Sequence, residues 1–248
     1  MINKNKDRTR DRKKAEETDM PFTPEAPQFL FENYTRNDKE WFKANKETYE
    51  REVLVPMREM IEYLTPLMKR IDSRIVCSPK KISRIYKDVR LMRDGMFFKK
   101  SIWFSLMRPK EQYVSKPEFF FWISPDDFGW GCGYYHIPTH VMDTVRTLIL
   151  NRDKAAMKAL DAYDRQESLV LDGEPYKRDR FPNEPLRFKN WLNRRNLAVL
   201  HTSDDAELFF GDKLCERVKA DFERIAPVYE LFIKAEDSVA AEDTAKTR

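Results

Sequence analysis

Residues 102–137 read IWFSLMRPKEQYVSKPEFFFWISPDDFGWGCGYYHI, and this stretch decides the fold class. Ile102 to Met107, Phe119 to Ser124 and Phe128 to Ile137 are short runs rich in aromatic and β-branched residues, punctuated by Pro and Gly. The breaks between them are too short for helical crossovers, so neighbouring strands are expected to run antiparallel. Ile82 to Leu91 upstream reads as a further strand, and Ser168 to Leu171 and Leu197 to His201 as short strands downstream.

Helical patterns flank this block. Asn37 followed by Glu40 has capping-box spacing and predicts a helix carrying Trp41, Phe42 and Tyr49. A second helix is expected after Pro56, with Met57, Met60, Ile61, Leu64, Leu67, Met68 and Ile71 stepping by three and four and Pro66 kinking it. Thr139 to Leu150, Asp153 to Tyr163 and Asp212 to Lys234 complete the set, the last with a stripe of Leu214, Val218, Phe222, Ile225, Tyr229 and Phe232. Helices, then strands, then helices indicate an α+β fold, a central mainly antiparallel sheet packed with helices from the N- and C-terminal parts. Residues 1–20 form a polar, basic tail expected to be disordered, 21–235 a single domain, and 236–248 a second disordered tail.

Composition sets the outer bounds. Of 248 residues 41% are hydrophobic and 13% aromatic, too apolar for a disordered chain even with 35% charged residues. No run is long enough to cross a bilayer, and the polar start lacks the apolar core of a signal peptide. Cys77, Cys132 and Cys215 are scattered and odd in number, which fits a reducing compartment rather than a disulfide framework. A cytoplasmic location follows, with the nucleus left open by the basic tail; no membrane partner is expected.

The net charge of +4 is unevenly distributed. Lys80 to Lys110 holds ten basic residues against Asp88 and Asp94, and Tyr176 to Arg195 seven against Asp179 and Glu184. Such concentration suits an anionic ligand if the two segments meet in space. Read as a strand, Arg84, Tyr86, Asp88 and Arg90 share one face, with Ile85, Val89 and Leu91 on the other. Asp88 then either anchors a structural ion-pair network or orients two guanidinium groups toward a phosphate or carboxylate. Nearby positive charge favours its ionised form, making it a poor acid but a fair orienting group, proton acceptor or metal ligand.

Other patterns carry less. Cys132, His136 and His140 are spaced by four, but glycines and Pro138 oppose a helix. On a strand Cys132 and His136 would be about 13 Å apart, so a shared metal is not expected. Gly129, Gly131 and Gly133 lie on one strand face, admitting either a ligand or packed aromatics. Glu174 to Arg195 interleaves cations with Tyr176, Phe181, Phe188 and Trp191, a pattern shared by nucleic-acid surfaces and by anchored loops. No phosphate-binding P-loop, nucleophile elbow or zinc-protease helix is found.

Several segments together resemble a known family. NDKEWFKANKETY (Asn37 to Tyr49), RIYKDVRLMRDGMFFK (Arg84 to Lys99), FFFWISPDDFGWGCGYYHIP (Phe119 to Pro138) and the pair Val145-Arg146 are similar, in that order, to the domain of unknown function 2461 family. The resemblance spans roughly Phe22 to Phe232. It implies an α+β domain and brings no activity, substrate or cofactor. The chain departs from the pattern at Lys87, Leu91, Gly95 and Phe98, where the family has Arg, Phe, Lys and Tyr.

Arg84, Asp88, Arg90, Asp94 and Lys99 keep the pattern. Asp88 and Asp94 are therefore the candidate catalytic carboxylates, and Arg84, Tyr86, Arg90 and Lys99 the candidate ligand-binding groups, with no metal ligands and no cofactor assigned. The expected function is binding, and action on, a small phosphate- or carboxylate-bearing ligand. The alternative is a non-catalytic module for nucleic acid or an acidic protein.

Overall fold

The computed structural model describes residues 22–88, 90, 94–109 and 115–246. Three helices open it: α1 (Glu25–Arg36), α2 (Lys39–Ala44) and the single turn α3 (Lys46–Tyr49). A π-helical turn, Glu50–Leu54, then leads into α4 (Val55–Ile71). The strands follow as β1 (Ile102–Met107), β2 (Glu118–Ile123) and β3 (Phe128–Gly133). Then come α5 (Thr139–Leu150), α6 (Lys154–Asp164), β4 (Val170–Asp172), α7 (Leu186–Leu192), β5 (Ala198–Ser203), α8 (Ala206–Phe210) and the long α9 (Leu214–Lys246).

The five strands form one sheet in the order β1-β2-β3-β5-β4, every neighbouring pair antiparallel. Register aligns Phe104, Phe121, Trp130 and His201 across four strands, all on one face. Helices cover that face. Phe119 packs between Phe222 and Tyr229 of α9, and Phe121 stacks on Phe22 and Phe104. The expected stripes of α4 and α9 are the buried ones, except that Ile71 is only partly covered. Each fully buried Leu, Ile, Met or Phe contributes roughly 1.5–3 kcal/mol. Under the sheet, Asp221 of α9 accepts from Trp130 Nε1 at 3.1 Å and pairs with Arg217 and Arg224, so its buried carboxylate is fully engaged.

Some local expectations change. Asn37 does not begin a helix; it ends α1 in the left-handed conformation (φ 49), and Asp38 caps α2 by accepting from the Glu40 and Trp41 N–H groups. Its amide instead reaches across to another segment, a use that local spacing cannot reveal. The described residues between 82 and 90 do not form a strand of the sheet. Only Ile82 bridges Phe104, and Tyr86 bridges Phe98, leaving an irregular two-armed loop beside β1. The reason is local satisfaction: Asp88 turns back on the Arg90 N–H and Asp94 on that of Met96, closing turns where a ladder would continue. Val89 and Leu91 lie outside the described residues, as do the N-terminal residues 1–21. Pro66 sits within α4, which runs on unbroken to Ile71. At the far end α9 extends past 235 to Lys246; Glu236 accepts from Tyr134 Oη at 2.9 Å, and Asp237 pairs with Arg108. Among the described residues no helix is long and apolar enough to cross a membrane.

Candidate functional site

The basic loop stands where the N-terminal helices meet the β1 edge of the sheet. Its two arms are held by Lys87 N–H to the Phe97 carbonyl and Lys99 N–H to the Ile85 carbonyl, both at 2.8 Å. Asn37 clamps the turn, donating to the Gly95 carbonyl at 3.1 Å and accepting from Phe97 N–H at 2.7 Å. Gly95 has φ +70, a backbone state that suits glycine at the position where the family pattern has lysine. Phe98 is fully buried against Phe42 and Tyr86, so the phenol of the family pattern is replaced here by a core ring.

The six singled-out residues fall into separate arrangements. Asp88 grips Arg90 in a two-point contact (3.0 and 2.6 Å), and the Arg90 side chain is 87% exposed. Hydrogen bonds from the Arg90 side chain and then its backbone N–H hold the Asp88 carboxyl at about 2, with a smaller pull from Arg84. Asp94 pairs with Lys87 at 2.6 Å, which, with the Met96 N–H, holds its carboxyl below the usual value. Both carboxylates are therefore ionised near neutral pH and can orient a cation or accept a proton rather than donate one.

Arg84 and Lys99 differ from these pairs. Neither side chain makes a hydrogen bond or ion pair among the described residues, while Lys87, Arg90, Arg58 and Lys100 all have carboxylate partners. Lys99 is partly buried, its ammonium 4.3 Å from the centroid of the Trp103 ring. Burial first, and the neighbouring Arg84 guanidinium second, push its pKa below the ordinary lysine value. Arg84 and Tyr86, without Lys99, line a cleft of about 300 Å³ with Lys46, Tyr49, Glu50 and Arg58. Lys46 and Tyr49 belong to the first quoted sequence segment and Arg84 and Tyr86 to the second, so the cleft joins them. The π-helical turn directly follows Tyr49, and such turns recur at functional sites. Sequence reasoning missed Arg58; its one signal was a cation one turn beyond Leu54 on the same helical run.

The second basic segment is spent differently. Trp191 is buried, and Tyr176 carries Arg146, Arg180 and Arg195 around its ring, with Arg180 at 3.8 Å. Arg146 is buried, bonding the Leu192 and Arg194 carbonyls and the Tyr176 hydroxyl. These aromatic faces are occupied within the fold. Cys132 faces the helical layer and burial raises its thiol pKa, whereas His136 and His140 are exposed beyond the end of β3. Among the described residues no group of His, Cys, Asp and Glu is arranged to hold a metal ion.

The class so defined is an α+β protein whose helices cover one face of a five-stranded antiparallel sheet and leave the other open, with a basic loop at the β1 edge. A family model described as a conserved hypothetical protein (DUF2461) matches residues 25–231, and the chain belongs to that family. No curated protein matches it.

Proposed function

We propose that the protein binds a small phosphate- or carboxylate-bearing ligand at Arg84 and Lys99, with Tyr86 and Lys46 alongside. The observation that carries this is the unpaired state of two neighbouring cations. Burial first, and the Arg84 charge second, depress the Lys99 pKa, and neither side chain forms an ion pair with a carboxylate among the described residues. Ion pairs are plentiful all around, so an uncompensated pair is a cost that a bound anion removes. Arg84 offers a planar fork of donors and Lys99 a point charge, a combination suited to either anion.

In this reading Arg90 extends the site, positioned by Asp88, and Lys87 is positioned by Asp94. Either carboxylate is available as a proton acceptor for a ligand that reacts. Tyr86, 41% exposed, lines the same cleft as Lys46 and Arg84. Nucleic acid is the weaker reading, since the aromatic rings of the second basic segment are already stacked or buried.

The test is calorimetric titration with inorganic phosphate, pyrophosphate and citrate at low salt. Arg84→Met and Lys99→Met should each weaken binding about tenfold or more, a charge-assisted hydrogen bond contributing roughly 1.5–3 kcal/mol. Lys213→Met serves as a distant control. Absence of binding to all three anions, or equal affinity in the double variant, overturns the reading.

A further inference from the structure

The cleft beside Arg84 is made of two kinds of surface. Its buried liners, Phe42, Tyr49 and Ile85, form the floor, and the partly covered Leu54 and Ile82 continue it. Lys46, Arg84 and Tyr86 are exposed and stand at the rim. The space between them is about 300 Å³, apolar below and cationic above.

Charge at the rim is unbalanced. Lys46, Arg58 and Arg84 line the cleft against the one carboxylate of Glu50, and Glu50 is already paired with Arg58. The side chains of Lys46 and Arg84 form no ion pair among the described residues. Arg84 is also the cation whose charge reaches Lys99, so the cleft opens directly onto the proposed anion site. An inorganic ion would satisfy the rim and leave the apolar floor against water, forfeiting the burial it offers.

Local structure fixes both floor and wall. Glu50 and Leu54 are the first and last residues of the π-helical turn and both line the cleft, so the wider turn shapes its wall. The floor is aromatic: the Phe42 ring meets Tyr49 at 5.5 Å and Tyr86 at 5.3 Å, the latter edge-on. Phe98 supports Tyr86 from the core at 4.9 Å, while the exposed part of the Tyr86 ring stays at the rim.

These surfaces select the ligand. Aromatic rings favour offset or edge contacts with one another, and a guanidinium group stacks on a ring face. A cleft at the small end of the range for organic ligands suits one substituted ring better than a long chain. We infer that the cleft takes a small aryl anion: one aromatic ring over Phe42 and against Tyr86, with its phosphate or carboxylate at Lys46 and Arg84. This rests on the anion-binding reading above and adds the body of the ligand, which that reading leaves open.

The experiment titrates the full chain calorimetrically at low salt with two series. One is inorganic phosphate, n-butyl phosphate and phenyl phosphate; the other is acetate, pentanoate and benzoate. In at least one series the aryl anion should bind about tenfold or more tighter than the smallest ion, as burial of a ring predicts, and several-fold tighter than the alkyl one. Tyr86→Ala and Ile82→Thr should each erode that preference several-fold, and Lys46→Met should weaken the aryl anion about tenfold. If Ile82→Thr unfolds, Tyr86→Ala and Lys46→Met, at exposed positions, carry the test. Anion binding with no aryl preference in either series overturns this inference and leaves the anion reading standing. An aryl preference that survives both Tyr86→Ala and Lys46→Met puts the ring elsewhere and overturns it as well. Failure of every anion to bind removes the anion reading itself, and this inference with it.

Discussion

Asn37 Oδ1 accepts the backbone N–H of Phe97 at 2.7 Å, tying the left-handed end of α1 to the arm of the loop that carries Lys99. The same amide donates to the Gly95 carbonyl at 3.1 Å. One side chain thus joins a helix end to a turn 58 residues away. A polar residue at φ 49 is tolerated because asparagine enters this conformation more readily than most residues.

Replacing Asn37 separates its two contributions. Asn37→Gly keeps the backbone state but loses both bonds, costing about 1–2 kcal/mol. Asn37→Ala adds the strain of a Cβ in the left-handed region, a further ~1 kcal/mol. Thermal unfolding should rank wild type above Gly above Ala. An Ala variant that melts with wild type would show that the clamp holds nothing.

Asp221 is the buried anchor between sheet and C-terminal helix. Asp221→Ala strands Trp130 Nε1 and removes the partner of Arg217 and Arg224. The two arginines are 41% and 55% exposed and stay hydrated, so the cost is mainly that of the buried indole N–H left without its acceptor, roughly 1–3 kcal/mol. Asp221→Asn, still an acceptor for the indole, should lose less. Urea midpoints read the order, and a neutral alanine variant would contradict it.

Lys99 predicts a pH dependence of fixed sign. Its folded pKa is below the unfolded value, so over that interval the unfolded chain binds more protons. Stability therefore rises as pH increases from the folded value toward the ordinary lysine value, because the charge that burial and then Arg84 disfavour is lost first in the folded state. Lys99→Met should remove that rise and should be at least as stable as wild type near neutral pH. Comparing the two proteins in urea across pH 7 to about 10.5 tests it; parallel curves would count against a depressed Lys99 pKa.

Asn33 is fully buried in α1, and neither polar atom of its side-chain amide has a hydrogen-bond partner among the described residues. An unsatisfied buried polar group costs about 1–3 kcal/mol, so the similarly sized Asn33→Leu should raise the melting temperature. A fall would reveal an ordered water or ligand at the amide.

Much of the architecture was legible because apolar periodicity reports burial directly. The stripe from Leu214 to Phe232 and the alternation of Phe119, Phe121 and Ile123 face the core as their spacing demands. The failures came where backbone groups are satisfied locally. Arg84 to Arg90 alternates like a strand, yet Asp88 and Asp94 cap their own turns and the ladder ends. Asn37 has the spacing of a helix cap, but its amide serves a distant loop. The helix Glu25–Arg36 went unread because three prolines obscured its start.

The sequence by itself determined the class of fold, the family pattern and the presence of a basic, aspartate-bearing segment beside β1, since periodicity and charge are local properties of the chain. Only the tertiary structure decided which cations are neutralised. Lys87 and Arg90 found carboxylates a few residues away, whereas the pairing of the two arms brought Lys99 within reach of the Arg84 charge without an ion pair for either side chain among the described residues. It also decided that the glycines of β3 lie on the uncovered face, with Trp122 laid across Gly129. Both outcomes depend on which strands pair and which face the helices cover, and those are relations between distant residues.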